Sequence, residues 1–217
     1  MRKQSFHCNQ KQRTSIAYFA QYRNTLPQDI SNRLSIPFSP VSQTFQIRFL
    51  GSTYWVTHPD FRIQYLSGGN GVQSLCSSSD AQHLLLHYFI DGDHQETVGA
   101  FLPVQALPWD STSVATFQRR CTDRLAHSYG NRPDIFQAVM ESLLGIRQAY
   151  GDISYDIELI NDLFLRLILW KDQDQPKAEI LFSDNFLTAF YGSDWLHIGE
   201  VVLQHMMDYE KLWSDIP

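Results

Sequence analysis

The stretch that decides the fold is "ISYDIELINDLFLRLILWKDQDQPKAEILFS", residues 153–183. Ile153, Tyr155, Ile157 and Leu159 alternate with Ser154, Asp156 and Glu158, the period of a half-exposed β-strand. "LFLRLILWK" is apolar almost throughout and reads as a central strand covered on both faces. After the polar turn "DQDQP", "KAEILFS" supplies a third strand.

Two helices precede this block. "RPDIFQAVMESLLG" has Asn131 as cap, Pro133 in the first turn and Gly145 at its end. In "STSVATFQRRCTDRLAHSYG", Phe117, Cys121, Leu125 and Tyr129 recur every four residues, one buried face ending at Gly130. "VGAFLPVQAL" is a short strand or extended segment limited by Pro103. "SSSDAQHLLLHYFIDG" is a helix capped around Ser79 to Asp80 and stopped at Gly92. Earlier still, "QTFQIRFL", "STYWVT" and "FRIQYL" predict a three-stranded antiparallel meander. Its turns fall at Gly51-Ser52 and His58-Pro59-Asp60, the second with Pro early in a type I turn. "SGGNG" (67–71) is a loop without the order of a phosphate-binding P-loop.

Residues 1–40 read as an N-terminal helix and a Pro-rich connector, with Pro27, Pro37 and Pro40 keeping the latter extended. Residues 41–217 form one domain. At its far end Trp195, Ile198, Val202, Met206, Tyr209 and Trp213 trace a long amphipathic helix. Strands and helices are segregated along the chain, which predicts α+β: an antiparallel or mixed sheet of about five to seven strands on about four or five helices.

Composition narrows the function. The 217 residues are 43% hydrophobic and 13% aromatic, enough to bury a sizeable core. A formal charge of -6 argues against a grip on nucleic acid phosphates. "LFLRLILW" is too short to span a bilayer, and the basic N-terminus lacks the apolar run of a signal peptide. Cys8, Cys76 and Cys121 are far apart and form no C-x-x-C pair. A zinc ribbon, a thioredoxin-type motif or a cysteine-held iron–sulfur cluster is therefore unsupported; the chain reads as a reduced cytoplasmic protein with no cofactor.

An ordered set of segments carries a resemblance: "IRFLGSTYWV", "LLLHYF", "GAFLPVQALPW" leading into "FQRRCTDRLAHSYG", "YGDISYDIEL", "LRLILWKDQDQPKAEILFSD" and the C-terminal helix. The set resembles the DUF3786 family of uncharacterised bacterial and archaeal proteins. The resemblance brings no established activity. Some relatives carry an added N-terminal iron–sulfur domain of the type seen in corrinoid proteins of anaerobes, which implies a redox or corrinoid setting and a protein partner. This sequence lacks those cysteines. The family's "W…D-E-E-F-P" run stands here as "WKDQDQPKAEILFSD", keeping Asp172 and Asp174 without the Phe.

Two constellations are candidate sites. His83, His87 and Asp91 lie four apart on one helix, a spacing acceptable for zinc or iron. The same residues also read as a flank of the apolar stripe Leu84, Leu85, Tyr88 and Phe89. His87, inside the family-like "LLLHYF", is the residue an acid–base or metal-dependent enzyme would use with nearby carboxylates. Arg120, Arg124 and His127 share a helix face that could hold a carboxylate or phosphate, or could be a solvated basic face. Cys121 sits on the apolar face and reads as a small buried hydrophobe. With no catalytic signature in the chain, the leading expectation is a non-catalytic accessory or small-ligand-binding domain.

Overall fold

A computed structural model describes residues 16–68, 74–172 and 175–214. The opening segment is more structured than its prolines suggest. Residues 16–24 form α1, and Pro27–Leu34 forms α2, which replaces the expected extended connector. Pro27 opens that helix, where a missing N–H costs nothing, Asp29 stands in its first turn, and Ile30 and Leu34 are buried. The short β1 (Phe38–Ser39) leads into the predicted meander of β2 (Thr44–Phe49), β3 (Ser52–Thr57) and β4 (Ile63–Gly68). Phe49 pairs with Ser52, so the first turn is Leu50-Gly51, one residue earlier than predicted. Both turn residues have positive φ, 44° and 74°, as a two-residue hairpin loop demands. The second turn holds a cis His58–Pro59 peptide.

After α3 (Ser74–Ser77) comes α4 (Ser79–Asp91), where Ser78 is the cap and accepts from the Ala81 N–H at 3.2 Å. Arg33 fastens the far end by donating to the carbonyls of Phe89 and Gly92. β5 (Phe101–Pro103) ends at its proline and passes through a 3₁₀ turn (Val104–Ala106). Then α5 (Ser111–Phe117) runs through a π turn (Gln118–Thr122) into α6 (Asp123–Tyr129). Phe117, Cys121, Leu125 and Tyr129 are all fully buried. In an unbroken α-helix a spacing of four drifts by about 40° per step. The wider π repeat takes up part of that drift and keeps the four on one side. α7 (Pro133–Ser142) follows; Arg132 rather than Asn131 occupies its cap position.

β6 (Ile146–Gln148), β7 (Ile153–Ile160), β8 (Leu163–Trp170) and β9 (Lys177–Ser183) complete the strands, and α8 (Phe186–Ala189) and α9 (Asp194–Ser214) close the chain. The sheet is antiparallel throughout, in the order β4-β3-β2-β7-β8-β9-β5, with β1 beside β2 and β6 beside β7. Among the described residues nine strands exceed the five to seven expected, because β1 and β6 are too short to show alternation.

Helices cover one face. Phe182 of β9 meets Phe117, Phe186 and Trp195 at ring separations of 5.3–5.8 Å, an aromatic cluster tying sheet to helices. α9 packs on α4, α5, α7 and the π turn, with Trp195, Ile198, Val202, Met206 and Tyr209 buried. The side chain of Trp213 and the tip of "SGGNG" lie outside the described residues. No described helix is long and apolar enough to cross a membrane.

One reading of the opening stretch needs correction. β7 is nearly wholly buried rather than half exposed. On the face away from the helices, Asp156 accepts two hydrogen bonds from its cross-strand neighbour Arg166, at 2.7 and 2.8 Å. The Arg166 guanidinium in turn lies 3.9 Å from the Phe101 ring centroid and 4.5 Å from that of Tyr150. β8 is central and largely covered on both faces, as expected, with this local sandwich covering Arg166 on the outer side.

His205 of α9 is buried, and neither ring nitrogen makes a well-formed hydrogen bond to a described residue. Burial lowers its pKa to about 4, against smaller opposing pulls from Asp208 and the Leu50 carbonyl. An unfolded histidine titrates near 6.5, so the contribution is intact above that pH and is lost as pH falls from about 6.5 towards 4. Urea unfolding at pH 7.5 and pH 5 is expected to show this loss, up to about 3 kcal/mol over the whole window. His205→Leu should flatten that part of the profile.

Candidate functional site

α4 buries most of its surface and leaves one stripe, His83, His87 and Asp91, on the side facing α1 and the start of α9. The predicted one-sidedness holds: the two imidazoles lie 4.4 Å apart. His87 and Asp91 find partners on α1 and α9. The Tyr18 ring stacks on His87 at 4.2 Å, and its hydroxyl donates to Asp91. Burial and the Asp91 carboxylate both raise the Tyr18 pKa, which keeps the phenol a donor. His87 Nδ1 contacts Asp194 Oδ1 at 2.9 Å. A carboxylate only accepts, so Nδ1 donates, and the ring's other nitrogen, Nε2, points away from Asp194.

That is the orientation of a general base held by a carboxylate. Nε2, however, is buried and has no hydrogen-bond partner among the described residues, with Tyr18 stacked on the ring. Among the described residues no three His, Cys, Asp or Glu side chains gather to hold a metal ion. His94 and Asp93 serve through their backbone, donating to Arg33 and Thr188.

The basic constellation splits. Arg120 and Arg124 line a groove of about 250 Å³ between the first turn of α4, the π turn and α9. His127 does not line it; its Nδ1 donates to the Asp123 carbonyl of its own helix at 2.9 Å. The groove instead recruits His197, Glu200 and Gln204 from α9, and Ser78 and Asp80 from α4. Arg120 pairs with Glu200. Arg124 donates to the Met207 thioether at 2.9 Å and, among the described residues, joins no ion pair.

Cys121 is fully buried against Gly199 and Phe117, and burial pushes its thiol up to about 12. It packs, as read from sequence. Asp172 belongs to a second groove, along β9, while Asp174 lies outside the described residues. The partners that complete both constellations were not singled out from sequence. Asp194 is 107 residues from His87, and Tyr18 comes from a helix with weak capping signals. A Gly-Ser-Asp cap signature at 192–194 marks the start of α9 but carries no pointer to α4.

The His87–Asp194 contact is largely buried, with side-chain exposures of 13% and 11%. Asp194→Ala would leave the imidazole donor unpaired and is expected to cost about 1–3 kcal/mol, whereas Asp194→Asn keeps an acceptor and should cost less. Chemical denaturation at neutral pH measures both.

Searches of curated proteins and of solved structures return no match. A family model described as a domain of unknown function, DUF3786, matches residues 27–205. The matched segment runs from the first turn of α2 to His205 and contains His87, Arg120, Arg124 and Asp194, while Tyr18 precedes it. Matched over most of its length, the chain belongs to the DUF3786 family.

Proposed function

We propose that this chain is a non-catalytic accessory domain that binds a small anionic ligand in the groove of Arg120 and Arg124. The observation that carries the reading is Arg124, a guanidinium at the groove whose described partner is a thioether rather than a carboxylate. A carboxylate or phosphate offers the planar, charge-assisted acceptor that sulfur does not. Glu200 and Asp80 stand on the same walls, so the ligands to screen include ones that also carry donor groups, such as amino and hydroxy acids. Small metabolites of anaerobic redox and corrinoid chemistry are the first to screen, in keeping with the setting that the family resemblance implies.

A panel of inorganic phosphate and small amino and hydroxy acids tests this by thermal shift and calorimetry. A true ligand at a hundred times its Kd stabilises by about 2.7 kcal/mol. For a chain of this size that is roughly 5–10 °C. Arg124→Met is expected to abolish the shift while moving the ligand-free Tm by only about 2 °C. A panel with no binder, or equal binding by the variant, overturns the proposal.

A second reading, an acid–base enzyme built on His87, draws on the Asp194 contact and the unpartnered Nε2. It requires that Nε2 be reachable. Diethyl pyrocarbonate should then modify His87 about as fast as the exposed His127, and Tyr18→Ala should not change the rate. Protection of His87 that is lifted by Tyr18→Ala sinks that reading.

A further inference from the structure

We propose that the outer edge of β9, at Lys177–Ile180, is a docking site for an extended segment of a partner protein, which adds to the sheet as one more strand. β9 is paired with β8 from Phe182 to Lys177. On its other side β5 covers only Ser183, Phe182 and Leu181. The cover stops for a local reason. The Val104 carbonyl, the next β5 acceptor after Leu102 that could face β9, accepts from Leu107 in the 3₁₀ turn at 3.3 Å instead of continuing the ladder.

The backbone groups left over can be named. Asp184 donates its N–H to the Ala100 carbonyl at 3.0 Å, so even-numbered residues point their backbone towards this edge. Strand period two extends the rule to Phe182, Ile180 and Ala178. Leu102 meets Phe182. The N–H of Ile180 and both backbone groups of Ala178 emerge where β5 has turned away, and among the described residues no hydrogen bond reaches them.

A groove of about 570 Å³ runs along this edge. Ala178 and Ile180 form its strand side, Gln118 of the π turn its helical wall, Gln105 one end, and Trp170 with Lys171 the other. Donors and acceptors alternating along a strand match another extended backbone, which is how peptides add to open sheet edges. Four residues of open edge span roughly 13 Å, room for a segment of about four or five residues. Lys171 and Lys177 are offset by Asp172 and Glu179, so the groove selects for backbone rather than for net charge. A second copy of this chain is a poor occupant. Its own β9 edge is recessed behind the same walls, and two recessed edges cannot meet. This site is separate from the Arg124 groove and does not depend on it.

Native-state hydrogen exchange on the full chain tests the edge directly. The amides of Ala178 and Ile180 should exchange at least about a hundredfold faster than those of Glu179 and Leu181, which face β8. Equal protection overturns the proposal. Twelve-residue peptides selected from a random phage-displayed library are the binding probes. A selected peptide is expected to protect Ala178 and Ile180. Ala178→Pro deletes a groove-side donor without touching the β8 ladder and should weaken that peptide at least tenfold. Failure to select a peptide, protection elsewhere, or unchanged affinity in the variant overturns the idea. So does a dimer in light scattering that Ala178→Pro dissolves. If Ala178→Pro does not fold, the exchange comparison on the unaltered chain decides.

Discussion

The sheet is continuous only because two hairpin tips meet. β2 and β7 share one register pair, Phe49 with Ile160. Around it, the Leu50 N–H donates to the Leu159 carbonyl at 3.1 Å and the Asn161 N–H to the Arg48 carbonyl at 3.3 Å. The Asn161 side chain accepts from the Arg48 N–H at 2.8 Å. Away from this seam the two halves of the sheet diverge, and β1 and β6 fill the gap on either side. Both tips are two-residue turns with positive φ, Leu50-Gly51 and Asn161-Asp162. The Arg48 guanidinium also reaches Glu158 and Asp162, but it is half exposed, so those ion pairs are worth at most about 1 kcal/mol. The buried backbone bonds and Asn161 carry the junction.

The helical layer crosses the same divide. α4 follows the first meander in sequence, α9 follows the last strands, and the two pack together through contacts that include His87 and Asp194. Further along α9, His205 lies near the Leu50 carbonyl, so this helix spans the seam on the covered face. The neutral state that burial imposes on His205 ties this packing to pH. The His87–Asp194 pair therefore has a structural task whether or not it has a chemical one.

Sequence reasoning read what is local and periodic. The meander, α4, the four-residue face from Phe117 to Tyr129 and α9 all stand where the pattern placed them. It failed where the deciding partner is distant. Alternation put Asp156 on a solvent side, but that rule identifies the face and not what covers it. Phe101 and Tyr150 arrive from other segments to sandwich Arg166 and bury the pair. Three prolines suggested a connector at 27–40, yet Pro27 sits at the one helical position that tolerates it. Arg120 and Arg124 were legible as a pair on one helix face. Glu200 and His197 opposite them were not, because nothing within α9 marks which of its polar residues face a neighbour.

The π turn borders both grooves. Gly199 of α9 comes so close that an added Cβ would stand 2.6 Å from the Cys121 sulfur, so the turn is clamped to α9 at its middle. Residues two apart on a helix project to nearly opposite sides. Gln118 and Thr122 accordingly wall the groove beside β9, while Arg120 and Arg124 wall the groove against α4 and α9. Extra residues in a helical turn are costly unless something requires them, and such turns recur at functional sites. Here the insertion keeps Phe117 and Cys121 in the core and presents two different clefts from one turn.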